Sequence, residues 1–164
     1  MDKSIYQLAE SLGLLLQATQ WQLALAESCT GGGIAHAVTE VPGSSAWFDR
    51  GFVTYSNAAK QDMLGVQATT LEQFGAVSQE TALEMVAGAL EHSRANLALA
   101  VTGIAGPGGG TPEKPVGTVY IACQRRGDQG VCFKKLFSGD RRSIRHQVIV
   151  FCLQLAKEQM GMSS

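Results

Sequence analysis

The chain has 164 residues, 45% of them hydrophobic and 16% charged, with a formal net charge of −1. That is enough for one domain, residues 1–164, with a full core, and the charge balance gives no general attraction to nucleic acid or anionic membrane. No apolar run approaches the roughly 20 residues that span a bilayer.

Ile5, Leu8, Leu12, Leu15 and Leu16 recur at helical spacing and predict an amphipathic helix over one face of a sheet. Asp2, Lys3 and Glu10 run through this segment, unlike a secretory signal. The apolar run 23–26 stops at Glu27-Ser28-Cys29-Thr30, three glycines follow, and Ile34, Ala35, Ala37 and Val38 resume at helical spacing. This predicts a buried strand, a tight turn and a helix over 31–39. Residues 41–45 form a turn, and 47–56, rich in aromatic and β-branched residues, a strand. A short helix over 57–64 has Asn57 as its cap and Gly65 as its stop. A helical turn over 70–74 closes at Gly75, and Ser78 caps a longer helix with an apolar stripe of Leu83, Val86, Ala87 and Leu90.

Residues 97–101 predict a second buried strand, which also runs into hydroxyl and glycine residues, Thr102-Gly103-Ile104-Ala105-Gly106 and onward to Gly110. Strands over 116–123 and 131–137 are joined by a turn at 125–128, and Asp140 begins a last helix with Ile144, Val148, Phe151, Cys152 and Leu155 inward. Strands interleaved with helices predict an α/β layered fold with a mixed sheet, whose ligands bind beyond the carboxyl ends of the strands. The apolar stripes of the first and last helices suit a subunit interface as readily as a core, and a homo-oligomer is expected.

The four cysteines form no C-x-x-C pair and stand at no zinc-finger spacing, which argues for free thiols in a reducing cytoplasm rather than disulfides or zinc. Cys123, Cys132 and Cys152 read as core residues, and Cys29 as pointing inward behind the turn.

Two readings of Ser28 compete. It and Thr30 are helix caps, or Ser28 is a nucleophile at a strand end with backbone amides gathered for an oxyanion. A nucleophile needs a base. His36, His92 and His146 all fall in helical stretches remote from the turn, and no G-x-S-x-G elbow is present. Lys60 qualifies if its pKa falls from near 10.4 to about 7–8, with Tyr55 relaying a proton or bonding the Ser oxygen. Otherwise Lys60 is a solvated surface cation. Arg141, Arg142 and Arg145 head the last helix as a group suited to phosphate or carboxylate, or as a charged surface. A Gly-rich turn with Ser, Tyr and Lys also suggests a short-chain dehydrogenase. Here, however, Tyr and Lys are five apart rather than four, and no acidic residue closes a second strand for a ribose.

The segments Ala26-Glu27-Ser28-Cys29-Thr30-Gly31-Gly32, Gly51-Phe52-Val53-Thr54-Tyr55-Ser56-Asn57 with Lys60, Gly75-Ala76-Val77-Ser78, Thr102-Gly103-Ile104-Ala105-Gly106-Pro107 and Lys114-Pro115-Val116-Gly117-Thr118-Val119 resemble, in this order, the CinA C-terminal-domain family. The likeness is greatest to its stand-alone bacterial amidases, and it covers nearly the whole chain. The larger relatives carry an additional N-terminal domain, whose activity is not expected here.

The resemblance implies a three-layer α/β/α sandwich. It also implies hydrolysis of the carboxamide of nicotinamide mononucleotide to nicotinate mononucleotide and ammonia, in the cytoplasm, with neither metal nor cofactor. The family's nucleophile falls on Ser28, its Tyr on Tyr55 and its Lys on Lys60. The family's second-loop hydroxyl residue falls on Thr102 and its Arg on Arg141, which Arg142 adjoins. For this chemistry we expect Thr30, Gly31 and Gly32 to contact substrate, with amides of the Gly31–Gly33 turn on the oxyanion, and Arg141 with Thr102 and Gly103 of the second loop to hold the ribose phosphate. The alternative is a catalytically silent nucleotide-binding or regulatory module of the same family.

Overall fold

The two LALA runs become β1 (Leu23–Glu27) and β3 (Leu97–Gly103), which pair in parallel from Leu23↔Leu97 to Glu27↔Val101. Side chains alternate across a strand, so each run has a large-residue face and an alanine face. Leu23, Leu25, Leu97, Leu99 and Val101 join one buried cluster; Ala24, Ala26, Ala98 and Ala100 join the other. The computed structural model describes residues 3–161. Its sheet has the order β2-β1-β3-β4-β5, with β2 (Phe48–Val53) parallel to β1, and β4 (Thr118–Arg125) and β5 (Val131–Leu136) antiparallel.

Helices α1 (Lys3–Thr19), α2 (Gly33–Thr39) and α6 (Arg141–Gly161) cover the leucine face. On the alanine face lie α3 (Asn57–Leu64), α4 (Ala68–Phe74) and α5 (Gln79–Glu91), through Leu64, Leu71, Ala82, Met85, Val86 and Ala89. The architecture is the expected three-layer α/β/α sandwich with a mixed sheet. A short 3-10 turn, Ser44–Ala46, leads into β2. No helix among the described residues is long and apolar enough to cross a membrane.

Some local expectations are corrected. Ser56, not Asn57, caps α3, because its hydroxyl accepts the Ala59 amide at 3.0 Å while Asn57 is already helical. On α5 the buried stripe is Ala82, Met85, Val86, Ala89 and Leu90, and Ala87 is exposed. Leu15 is exposed too, one residue off the α1 stripe of Ile5, Ala9, Leu12 and Leu16. Phe151 is only partly buried, edge-on to Phe133 and Phe137. The buried members of the α1 and α6 stripes pack inside the chain's own core.

The alanine face lets α5 approach closely, and Gly88 carries the tightest contact: a methyl there would overlap the Leu64 carbonyl at the end of α3. Two effects oppose each other in Gly88→Ala. Helix propensity favours alanine by about 1 kcal/mol, whereas overpacking against fixed backbone costs about 1–3 kcal/mol or more. The clash wins, and urea unfolding of Gly88→Ala is expected to show a net loss of stability; a gain would mean that α3 and α5 sit farther apart.

Candidate active site

The carboxyl end of β1 lies between its two parallel neighbours. The Thr54 amide donates to the Glu27 carbonyl at 2.8 Å, and the Ser28 amide donates to the Val101 carbonyl at 3.2 Å. From β1 the chain passes through α2 to β2 on one side, while β3, reached later through α5, flanks it on the other. Ser28 therefore stands at a topological switch point, where open α/β sheets form their crevices.

The turn after Ser28 is tied by its own backbone. Gly31 N–H donates to the Ser28 carbonyl and Gly33 N–H to the Thr30 carbonyl, with Gly31 and Gly32 at φ +58° and +96°. Glu27, 1% exposed, points its carboxylate at the head of α2. There it accepts the Ile34 and Ala35 amides at 2.9 Å each and the Thr30 hydroxyl at 2.6 Å. On the other side, Arg145 donates to the Thr30 carbonyl at 3.0 Å.

The oxyanion amides expected at Gly31–Gly33 are thus partly committed. The turn amides with no backbone partner are those of Cys29, Thr30 and Gly32, and the Cys29 amide lies against its own sulfur. Of these residues only Cys29 borders the cavity; Thr30, Gly31 and Gly32, expected to touch substrate, do not. They shape the turn from behind.

Lys60, near the middle of α3, is 1% exposed and extends back to the strand ends. Its Nζ lies 3.0 Å from Ser28 Oγ, 2.8 Å from the Thr54 carbonyl and 3.3 Å from the Tyr55 carbonyl. Burial lowers its pKa below the ordinary 10.5, opposed by the nearby Cys29 sulfur. An ammonium fills this site with three N–H donors; an amine fills it with two, leaving a lone pair for the serine hydroxyl. The site therefore has partners for either protonation state.

Tyr55 is 61% exposed, and its hydroxyl accepts from Arg141 Nη2 at 3.1 Å rather than meeting Ser28 or Lys60. The link from Tyr55 to Lys60 is the backbone carbonyl. Arg141 also donates to the Gly106 carbonyl at 2.6 Å, spanning from the end of β2 to the second glycine loop.

The arginine cluster divides. Arg141 borders the cavity, Arg142 does not, and Arg145 braces the serine turn. None of the three histidines reaches the cavity. Cys29 does, but burial pushes its thiol up to about 11, which leaves it a poor rival to the serine.

The cavity has a volume of about 160 Å³. Ser28, Lys60, Tyr55, Asn57, Thr102 and Arg141 are its polar members, and Ala76, Val77, Ala105 and Gly103 contribute apolar or backbone wall. Thr102 spends its hydroxyl on the Ala76 carbonyl at 2.8 Å, so it holds a wall. Gly103 is required by packing, since a Cβ there would lie 2.6 Å from Val119 Cγ2. Glu27, Asn57, Ala76, Val77 and Ala105 escaped the residue-by-residue reading of chemistry. The one signal available for Ala76 and Val77 was their place in a family motif. Among the described residues, no group of His, Cys, Asp or Glu is arranged to hold a metal ion.

Comparison with known proteins adds an independent line. The chain is 52% identical over 155 residues to the nicotinamide-nucleotide amidohydrolase PncC of Enterobacter agglomerans, covering 94% of each chain. It is 48% identical over 158 residues to the enzyme of the same name from Escherichia coli K12, covering 96% of each. Its fold superimposes on the crystal structure of the competence/damage inducible protein CihA from Agrobacterium tumefaciens with a TM-score of 0.95 at 47% identity, covering 99% of this chain and 98% of that one. The family model for the CinA C-terminal domain matches residues 5–160, and the chain belongs to that family.

Proposed function

We propose that the chain is an amidohydrolase that converts nicotinamide mononucleotide to nicotinate mononucleotide and ammonia through a seryl acyl-enzyme. The observation that carries this is the buried Lys60 amine 3.0 Å from Ser28 Oγ. The names of the full-length relatives supply the substrate.

Neutral Lys60 keeps its two N–H groups on the Thr54 and Tyr55 carbonyls and accepts the Ser28 hydroxyl proton. Ser28 Oγ then bonds to the carboxamide carbon, and the Cys29 amide, in the turn residue that borders the cavity, holds the oxyanion. One such donor is worth about 2.7–4 kcal/mol. The Lys60 ammonium returns the proton to the departing nitrogen, so that ammonia rather than amide anion leaves. Water enters, gives a proton to Lys60, and its oxygen replaces Ser28 Oγ at the acyl carbon; the proton returns to Ser28 as nicotinate forms.

Tyr55 contributes to this scheme through its carbonyl on Lys60 and its hydroxyl on Arg141. Arg141 holds the ribose phosphate at the mouth, exchanging its neutral partners for a charge-assisted pair. Nothing in the scheme calls for a metal, cofactor, nucleic acid or membrane. Self-association belongs to the proposal only through surface such as Leu14, left exposed on α1.

Ser28→Ala is expected to abolish ammonia release from nicotinamide mononucleotide while preserving the fold and nucleotide binding. Undiminished release would remove Ser28 as nucleophile, and a wild-type protein that binds the nucleotide without turning it over would be a silent binding module. Because the essential form of Lys60 is the amine, kcat/KM should rise with pH through a pKa displaced below 10.5. Lys60→Arg, which cannot shed its proton, should lose about 10²–10⁴-fold; an arginine variant with wild-type activity would exclude the lysine base. Nicotinamide riboside should be a much poorer substrate than the nucleotide, and Arg141→Ala should narrow that difference. Equal kcat/KM for riboside and nucleotide would take the phosphate away from Arg141.

A further inference from the structure

The segment 74–77, which lends Ala76 and Val77 to the cavity wall, is held by its carbonyls. Four consecutive carbonyls, from Phe74 to Val77, each accept from a side chain elsewhere. Gly75 receives the hydroxyls of Ser78 and Thr81 at 2.9 and 2.8 Å, and Ala76 that of Thr102 at 2.8 Å. Phe74 and Val77 both receive the Lys114 ammonium, which lies 3.2 Å from the Phe74 oxygen and closer still to that of Val77.

Lys114 comes from the second glycine loop, where it sits in a closed turn. Its amide donates to Thr111 Oγ1, and the Thr111 amide donates to its carbonyl. The same loop supplies Ala105 to the cavity and the Gly106 carbonyl to Arg141. Phe74 ends α4, so the ammonium lies at the negative end of a helix, where a cation is favoured.

We propose that Lys114 is a positioning residue for the substrate's pyridine ring, strapping the wall of Ala76 and Val77 to the loop that carries Ala105. The proposal rests on the amidase reading above. With the carboxamide at Ser28, the apolar lining left to receive a flat aromatic ring is Ala76, Val77 and Ala105, and Lys114 is the cation joining its two halves. Removing the strap frees the Phe74 and Val77 carbonyls and uncouples the two loops at that point, without touching Ser28, Lys60 or the turn that carries them. Substrate binding should weaken while the intrinsic reactivity of the serine persists.

Two readings on the full chain separate these effects. One is steady-state turnover of nicotinamide mononucleotide. The other is the rate at which methanesulfonyl fluoride labels Ser28, followed by mass spectrometry: the Oγ–S bond forms, fluoride leaves, and Lys60 takes the hydroxyl proton. This probe has no ring to place. Lys114→Met is expected to raise KM about tenfold or more with a smaller change in kcat, and to leave the labelling rate within about twofold. Lys114→Arg, which can still donate to both carbonyls, should recover most of the affinity.

An unchanged KM in Lys114→Met would overturn the proposal. So would labelling and turnover falling together, since that reports general damage to the site. Should Lys114→Met fail to fold, Lys114→Gln is read in the same two ways. If the wild-type protein releases no ammonia, the amidase reading fails first; if it does and KM is indifferent to residue 114, only the strap is lost.

Discussion

Glu27 spends its buried carboxylate on two amides at the head of α2 and on the Thr30 hydroxyl. A helix head in this position, after a strand and a glycine turn, is where many α/β proteins hold a phosphate. Here the anion is built in. The amides at the head of α2 are thereby taken by a carboxylate of the chain itself. The same bonds lock the turn from below while Arg145 holds the Thr30 carbonyl from the side. The amides that follow the serine owe their arrangement to this double grip.

The two-faced sheet explains how a lysine reaches that turn. Leucines and valines fill the face toward α1, α2 and α6, and alanines fill the face toward α5. The thin face draws α5, and α3 with it, against the sheet, until Gly88 meets the carbonyl of Leu64. With α3 so placed, a side chain from its middle, Lys60, lies along the strand ends and loses its water. Its lowered pKa is a consequence of packing on the alanine face.

Much of this was legible in the chain. The LALA runs, the glycines after them and the Ser78 and Asp140 helix starts are local signals, and local structure follows them; Asp140 caps α6 through the Ser143 amide at 2.8 Å. Position along a helix was read less well where one residue of phase decides the outcome, as at Ala87, Leu15 and Asn57. The site was legible in its members more than in their contacts. Ser28, Tyr55, Lys60, Thr102 and Arg141 all border one cavity. Yet the partner of the Tyr55 hydroxyl lies 86 residues away, and the side-chain partner of the Thr30 carbonyl 115 residues away. No periodicity encodes such pairs. Glu27 was hidden for a simpler reason: at the end of an apolar run a glutamate looks like the point where the strand meets water, and here it meets a helix.

The thiol next to the serine has a consequence of its own. Burial pushes the Cys29 thiol up to about 11, so it stays protonated near neutral pH. Oxidants and soft electrophiles act on thiolates, and their reaction slows as the thiolate fraction falls. In the crevice that presents Ser28 and Cys29 side by side, the thiol is thus the less reactive neighbour under the proposed serine chemistry. Hydroxyl-directed reagents would therefore report on the serine with its neighbour left in place, and the crevice would keep its chemistry through changes of redox state that silence exposed cysteines elsewhere.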